Sequence, residues 1–373
     1  MTVGFLRTAE TLQSGASTLP RKYYTDEQIL KMELEHIFQE NWLYVGRSQQ
    51  LENEGDYTTV SIGKESVIVL RSPGGGINAF YNVCRHRGTR ICSEEEGSFS
   101  RSIQCPYHGW TYNLQGELIG APLMGAAEGF DKKDYPLHSV PLAEWEGFLF
   151  INLSDTPEPF EKIFEPLLSR FSDWQMSSLV EHGRHDYEID CNWKLIFQNY
   201  SECYHCPIIH PELAEITPYT SGRNDLFEGP FLGGYMDLSG AKESITASGH
   251  LCAPLVGDLS EDDHRRVYYY SIFPNMLLSL HPDYIMVHSV APITVDRSHI
   301  SCRWLFSPAL SDENGYHPGD AIDFWHKTNR QDWDICEKSQ LGIESKKYSP
   351  APYSGQESLL AAFDRHYLSE LKI

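Results

Sequence analysis

Two short motifs, Cys84-Arg85-His86 and Cys105-Pro106-Tyr107-His108, constrain this chain more than anything else in it. Each sits in its own loop and each carries one cysteine and one histidine. Two thiolates and two imidazoles drawn from two loops suit a cluster of two irons and two sulfides, one iron taking the cysteines and the other the histidines. A structural zinc site with the same donors is the competing reading, although zinc modules usually draw CxxC and HxxxH pairs from a knuckle and a helix. Cys92 lies between the loops in register with neither pair and reads as a small core residue.

A second constellation follows downstream in Glu202-Cys203-Tyr204-His205-Cys206-Pro207-Ile208-Ile209-His210. The segment Asn192 to Tyr200 before it has the apolar spacing of a largely buried helix. Continued, that helix sets Glu202 and His205 on one face. Pro207 then turns the chain and brings His210 back beside His205. With a carboxylate from elsewhere, the two imidazoles would form a two-His, one-carboxylate face with open positions, which suits non-haem ferrous iron. Taken alone, such a histidine pair is more often a packing or surface feature.

The formal charge of −22 over 373 residues argues against nucleic acid or an anionic membrane surface as partner. No apolar stretch is long enough to span a bilayer, the first residues lack the pattern of a secretory signal, and a cytoplasmic location is expected. Nine cysteines in such a chain point to thiols or metal ligands rather than a disulfide framework.

Residues 1–24 show no strong period and are expected to run over the surface of a larger domain. Thr25 with Gln28 resembles a capping box opening an amphipathic helix that ends near Asn41-Trp42. Short β runs follow at 57–62, 67–70 and 77–83, parted by Gly-rich turns, and another lies at 147–153. The Pro-rich, acidic piece from Ser154 to Pro159 reads as an exit from this first domain, followed by a helix from Phe160 to Phe171. Residues 266–306 read as an antiparallel meander, and Gly319 to Gln340 as a helix. Tyr268, Tyr270, Tyr284 and Trp304 are candidates to line a pocket, although strand aromatics are more often core. His281 and His288 have no partner at ligand spacing and receive no role.

The segments Asn82-Val83-Cys84-Arg85-His86-Arg87-Gly88 and Cys105 to Trp110 resemble the Rieske domain of Rieske non-haem iron oxygenases. Asn192-Trp193-Lys194, with Glu202, His205 and His210, is similar to that family's catalytic domain, so the resemblance covers nearly the whole chain. It implies an α+β chain, with an N-terminal all-β Rieske 2Fe-2S domain inserted before a helix-grip (START-like) catalytic domain with a curved antiparallel sheet. The expected division is an N-terminal helix over 1–42 packing on the catalytic domain, the Rieske domain over 43–155 and the catalytic domain over 156–373. The resemblance further implies a cluster on Cys84, His86, Cys105 and His108 and mononuclear Fe(II) on His205, His210 and a third ligand. Asp332, which precedes Glu337 as a ligand aspartate does in similar oxygenases, is the choice for that ligand, with Asp334 as rival.

By the same resemblance, O2 is co-substrate and a flavin or iron-sulfur reductase supplies electrons from NAD(P)H. Glu202, where the family usually has Asp, would carry electrons from His108 of a neighbouring chain to His205, which requires an oligomer and implies a homotrimer. Glu at that bridge, with the flanking Cys203-Tyr204-His205-Cys206, looks most like the monooxygenase branch acting on small quaternary amines such as betaines, carnitine or choline. A ring-hydroxylating oxygenase of an aromatic substrate, whether mono- or dioxygenase, is the alternative. A Rieske electron carrier or zinc-binding protein is the alternative of a different class.

Overall fold

The computed structural model describes residues 4–310 and 315–372. The chain divides into two compact units, one of residues 38–165 and one made of residues 1–37 and 166–373. The boundary after residue 155 expected from the Pro-rich piece moves to 165 because the chain keeps burying aromatic rings beyond it. Phe160 stacks on Phe164 with ring centroids 3.9 Å apart, and Phe160 also meets Trp42 at 5.3 Å.

The sheets of the smaller unit are all antiparallel. Ile77–Tyr81, Glu65–Arg71, Asp56–Ile62 and Glu96–Ser98 form a sheet in that spatial order. Leu142–Trp145, Phe148–Ile151 and Leu43–Arg47 form a second sheet, and Ile103–Gln104, Thr111–Tyr112 and Leu118–Gly120 a third. Successive strand residues face opposite ways. Val67, Ile68, Val69 and Leu70 are all fully buried, so their strand is covered on both faces, which explains its unbroken apolar run.

The larger unit is built on an eight-stranded antiparallel sheet, in the order Leu6–Arg7, Arg223–Glu228, Phe231–Asp237, Arg266–Ile272, Met276–Leu280, Tyr284–Thr294, Arg297–Phe306 and Val180–Ile189. The expected meander is its centre. The N-terminal segment adds an edge strand beside Asn224 rather than lying as plain surface coil. Across the sheet lies the helix Gly319–Ile343, whose Trp325 Nε1 donates to Tyr284 Oη at 2.6 Å. Gly183 lets the helix approach, since a Cβ there would stand 2.7 Å from Ile322 Cδ1. A long helix held on an antiparallel sheet is the helix-grip arrangement.

Three local expectations are corrected. Asp26, not Thr25, caps the N-terminal helix Glu27–Glu33, its Oδ1 accepting from Gln28 N at 2.8 Å. The helix from Phe160 is one turn long, Phe160–Ile163, before the chain bends into irregular structure. The helix Trp193–Tyr200 stops at Tyr200, and Pro207 opens a short helix, Cys206–Ile209, rather than ending one. Proline is tolerated in a first turn because the N–H it lacks would have no partner there.

The helix Trp193–Tyr200 is held by a buried polar cluster. Lys194 Nζ donates to Glu33 Oε1 at 2.5 Å, with the two side chains 0% and 1% exposed. Trp193 Nε1 and Tyr367 Oη also donate to Glu33, at 2.9 and 2.6 Å. Burial pushes the Lys194 pKa down and the Glu33 carboxylate opposes that shift. Removing one member of a buried pair leaves the other charge uncompensated. Glu33→Ala should therefore destabilise the protein by about 3–5 kcal/mol, read from the denaturant midpoint. A loss under about 1 kcal/mol, the range of a surface pair, would show that the cluster does not anchor the helix.

Candidate metal centres and substrate cavity

The two Cys/His loops share one backbone scheme. In the first, Cys84 N donates to Thr89 O at 2.8 Å and Gly88 N to Cys84 O at 2.9 Å. In the second, Cys105 N donates to Trp110 O at 2.8 Å and Gly109 N to Cys105 O at 3.1 Å. Gly88 and Gly109 close the turns at φ of +75° and +69°, a conformation that side chains disfavour. The loops bring their donors together: the Cys84 and Cys105 thiols interact, and the His86 and His108 rings lie 4.7 Å apart.

His86 Nδ1 is buried with no hydrogen-bond partner, an orphaned donor atom of the kind a metal would satisfy. Burial pushes the Cys84 thiol pKa up, against hydrogen bonds from Tyr112 and the His86 backbone, and a bound cation would reverse that preference. The residues fit a two-iron cluster. Cys92 packs in the same core, where burial raises its pKa to about 11, and it stays a plain core residue.

Two supporting residues escaped sequence reasoning. Asn82 Oδ1 accepts from Ile91 N and Cys92 N, both at 2.9 Å, fixing the first loop's return. Tyr112 Oη lies 3.4 Å from Cys84 Sγ and accepts from Arg85 N at 3.1 Å. Nothing in their sequence spacing distinguishes them; only the loop's fold brings them there.

In the larger unit, His205, His210 and Asp332 offer ligand atoms that lie within 4.8 Å of one another. Asp332 Oδ1 is 2.7 Å from His210 Nε2 and 3.3 Å from His205 Nε2. The opposite ring nitrogens are held from behind: Glu202 Oε1 is 2.5 Å from His205 Nδ1, and Gln331 Oε1 is 2.8 Å from His210 Nδ1. Such partners fix ring orientation and turn both Nε2 atoms toward the shared point. Glu202 reaches His205 across a tight turn and not along a helix face, because the helix has already ended. Asp334 is exposed and pairs with Lys338.

Burial disfavours charge on His205, but Asp332 and Glu202 outweigh it and push the imidazole pKa up to about 10. Asp332 is held below the usual carboxylate range by the two histidines, against the effect of its burial. The cluster thus calls for positive charge between two carboxylates, and two imidazoles with one carboxylate suit a ferrous ion.

Cys203 and Cys206 form a disulfide across His205, while the other seven cysteines are free and buried. The expectation of thiols thus fails for this one short-range pair.

The histidine cluster opens on a cavity with about 1040 Å³ of empty space, counting its mouth. Tyr200, Tyr219, Tyr235, Tyr269, Trp325 and Trp333 are in its wall, and among the described residues no Lys or Arg lines it. The four aromatics expected there lie elsewhere. Tyr268 and Tyr270 flank Tyr269 and point the opposite way, Tyr268 donating to Asp263 at 2.7 Å and Tyr270 to Asp225 at 2.9 Å. Tyr284 donates to Ile245 O at 2.7 Å, and Trp304 is fully buried in the sheet.

Residues 41–141 match the Rieske 2Fe-2S domain, and residues 176–372 match the catalytic domain of the ring-hydroxylating alpha subunit. The chain belongs to the Rieske non-haem iron oxygenases. It is 30% identical to the glycine betaine monooxygenase oxygenase subunit of Chromohalobacter salexigens, across 93% of this chain and 84% of that one. Its identity to the chloroplastic choline monooxygenase of Arabidopsis thaliana is 27%, across 91% and 79% of the two chains. A solved quaternary ammonium Rieske monooxygenase shares the fold with a TM-score of 0.81 at 24% identity, covering 95% of each chain.

Membership brings a Rieske cluster, a mononuclear iron, O2 as co-substrate, a small-molecule substrate and an electron-supplying reductase. Among the described residues no helix is long and apolar enough to cross a membrane. Cys84→Ala and Cys105→Ala should each abolish the visible absorption of the cluster, whereas Cys92→Ala should retain it. Equal bleaching by all three would mean that Cys92 belongs to the cluster.

Proposed function

We propose that this chain is the terminal oxygenase of a monooxygenase system that hydroxylates, or oxidatively demethylates or cleaves, a small quaternary amine. One observation carries the reading: the cavity over His205, His210 and Asp332 has six aromatic residues in its wall and, among the described residues, no Lys or Arg. Aromatic faces attract a quaternary ammonium group, and a wall without Lys or Arg adds no ammonium or guanidinium to oppose that attraction. The relatives named for glycine betaine and choline monooxygenation support it.

In this reading His205, His210 and Asp332 hold the mononuclear iron, while Cys84 and Cys105 hold one cluster iron and His86 and His108 the other. Bound there, the irons supply electron relay and oxygen activation. The chain supplies the rest. Glu202 and Gln331 hold the two imidazoles in their ligating tautomer and orientation. The aromatic wall fixes the substrate's cationic head and limits water at the reacting carbon. Electrons come from NAD(P)H through a flavin or iron-sulfur reductase.

His108 is exposed, as a group that hands electrons to another chain must be. Glu202 would link His108 of the partner subunit to His205, in a homotrimer closed head to tail. The seven buried free thiols accord with a cytoplasmic setting, to which the Cys203–Cys206 disulfide is the exception.

The deciding experiment pairs metal analysis with coupled turnover. Anaerobically purified protein should hold about three irons per chain, and His205→Ala should lose one of them and all turnover while keeping the cluster spectrum. With a reductase, NADH use should be coupled to product from a quaternary amine; coupling by aromatic acids alone would overturn the assignment. Sedimentation should give a trimer, and Glu202→Gln should slow cluster-to-iron electron transfer with iron content unchanged. A monomer that remains fully coupled would rule out the bridge.

A further inference from the structure

His288 is a buried polar group that nothing above employs. It stands in the strand Tyr284–Thr294, is 2% exposed, and lines the cavity. Among the described residues neither of its ring nitrogens makes a hydrogen bond of good geometry. The Asn329 carboxamide interacts with the His288 ring, and its Nδ2 donates toward Cys302 Sγ at 3.7 Å. A buried imidazole so weakly satisfied is costly unless something entering the cavity supplies the missing hydrogen bond. His281, whose ring nitrogens are likewise unpaired, stacks on Tyr284 at 4.0 Å and does not line the cavity.

Resting on the quaternary-amine reading, we propose that His288 is a specificity residue that hydrogen-bonds an uncharged hydroxyl of the substrate, so that the site prefers a monocationic amino alcohol to a betaine-like zwitterion. Position supports this. The His288 ring centroid is 6.3 Å from that of Tyr200 and 6.2 Å from that of Trp333, two of the wall aromatics. A cation seated on those faces therefore holds a short hydroxyalkyl arm within reach of the imidazole.

Chemistry supports it as well. A neutral imidazole offers one donor and one acceptor, and a hydroxyl can use both, whereas a carboxylate can only accept. A zwitterion's carboxylate would lose its water beside His288, where no Lys or Arg among the described residues lines the cavity to replace it. The formal charge of −22 likewise favours approach of a net cation.

The test is anaerobic calorimetric titration of the iron-loaded enzyme with choline, tetramethylammonium and glycine betaine. Choline should bind about tenfold more tightly than tetramethylammonium, as expected for one added hydrogen bond, and more tightly than glycine betaine. His288→Phe should erase the choline margin and leave tetramethylammonium affinity in place, while His288→Gln, which keeps a donor and an acceptor, should restore part of it. Glycine betaine binding more tightly than choline, or a choline-to-tetramethylammonium ratio that His288→Phe does not move, overturns the proposal. The wild-type ranking decides even should the Phe variant not fold. If none of the three ligands binds and an aromatic acid does, the quaternary-amine reading itself has failed.

Discussion

The buried Glu33–Lys194 pair is the interaction on which the catalytic unit depends. Its members come from the N-terminal helix and the helix Trp193–Tyr200, and Tyr367, near the C-terminus, donates to the same carboxylate. A charge pair with essentially no exposure persists only where geometry and extra hydrogen bonds are good, because removal from water opposes it. Three distant parts of the sequence must therefore meet before the helix Trp193–Tyr200 is secured. Asn192 and Gln198 extend the same dependence: Gln340 Oε1 accepts from Asn192 N at 3.1 Å, and Gln198 Nε2 donates to Asp364 at 2.7 Å.

From that anchored helix the chain leaves through a tight turn to His205 and a short Pro-opened helix to His210. Asp332 arrives from the long helix across the sheet, and its neighbour Gln331 orients His210. Each ring is thus held from behind by an oxygen and faces the shared point with its other nitrogen. The excess of carboxylate charge around His205 raises that imidazole's pKa, and the same excess suits a divalent cation. In the β unit, two turns closed by glycine at positive φ present a similar economy, their cysteines buried and His108 exposed.

The cavity shows how narrowly a reading from pattern can miss. The run Tyr268-Tyr269-Tyr270 advertises aromatics, but a strand alternates its side chains, so only one parity faces the cavity. Tyr269 lines the cavity, and its neighbours serve the opposite side through Asp263 and Asp225. Parity within a strand that is buried on both faces leaves no polar alternation to betray it.

What the sequence determined by itself was the chemistry of the donors and the class of fold. The CxH and CxxH loops, the Glu202, His205, His210 spacing and the alternating runs of the meander are local patterns, legible because ligand type and side-chain period are properties of the chain alone. Only the tertiary structure decided what distant segments do to one another. It brought Asp332 rather than Asp334 to the histidines because the helix turns one inward and leaves the other beside Lys338. It set Asn82 and Tyr112 behind the cluster loops and placed the weakly satisfied His288 in the cavity wall. Those outcomes depend on packing between elements, which no spacing within one element encodes.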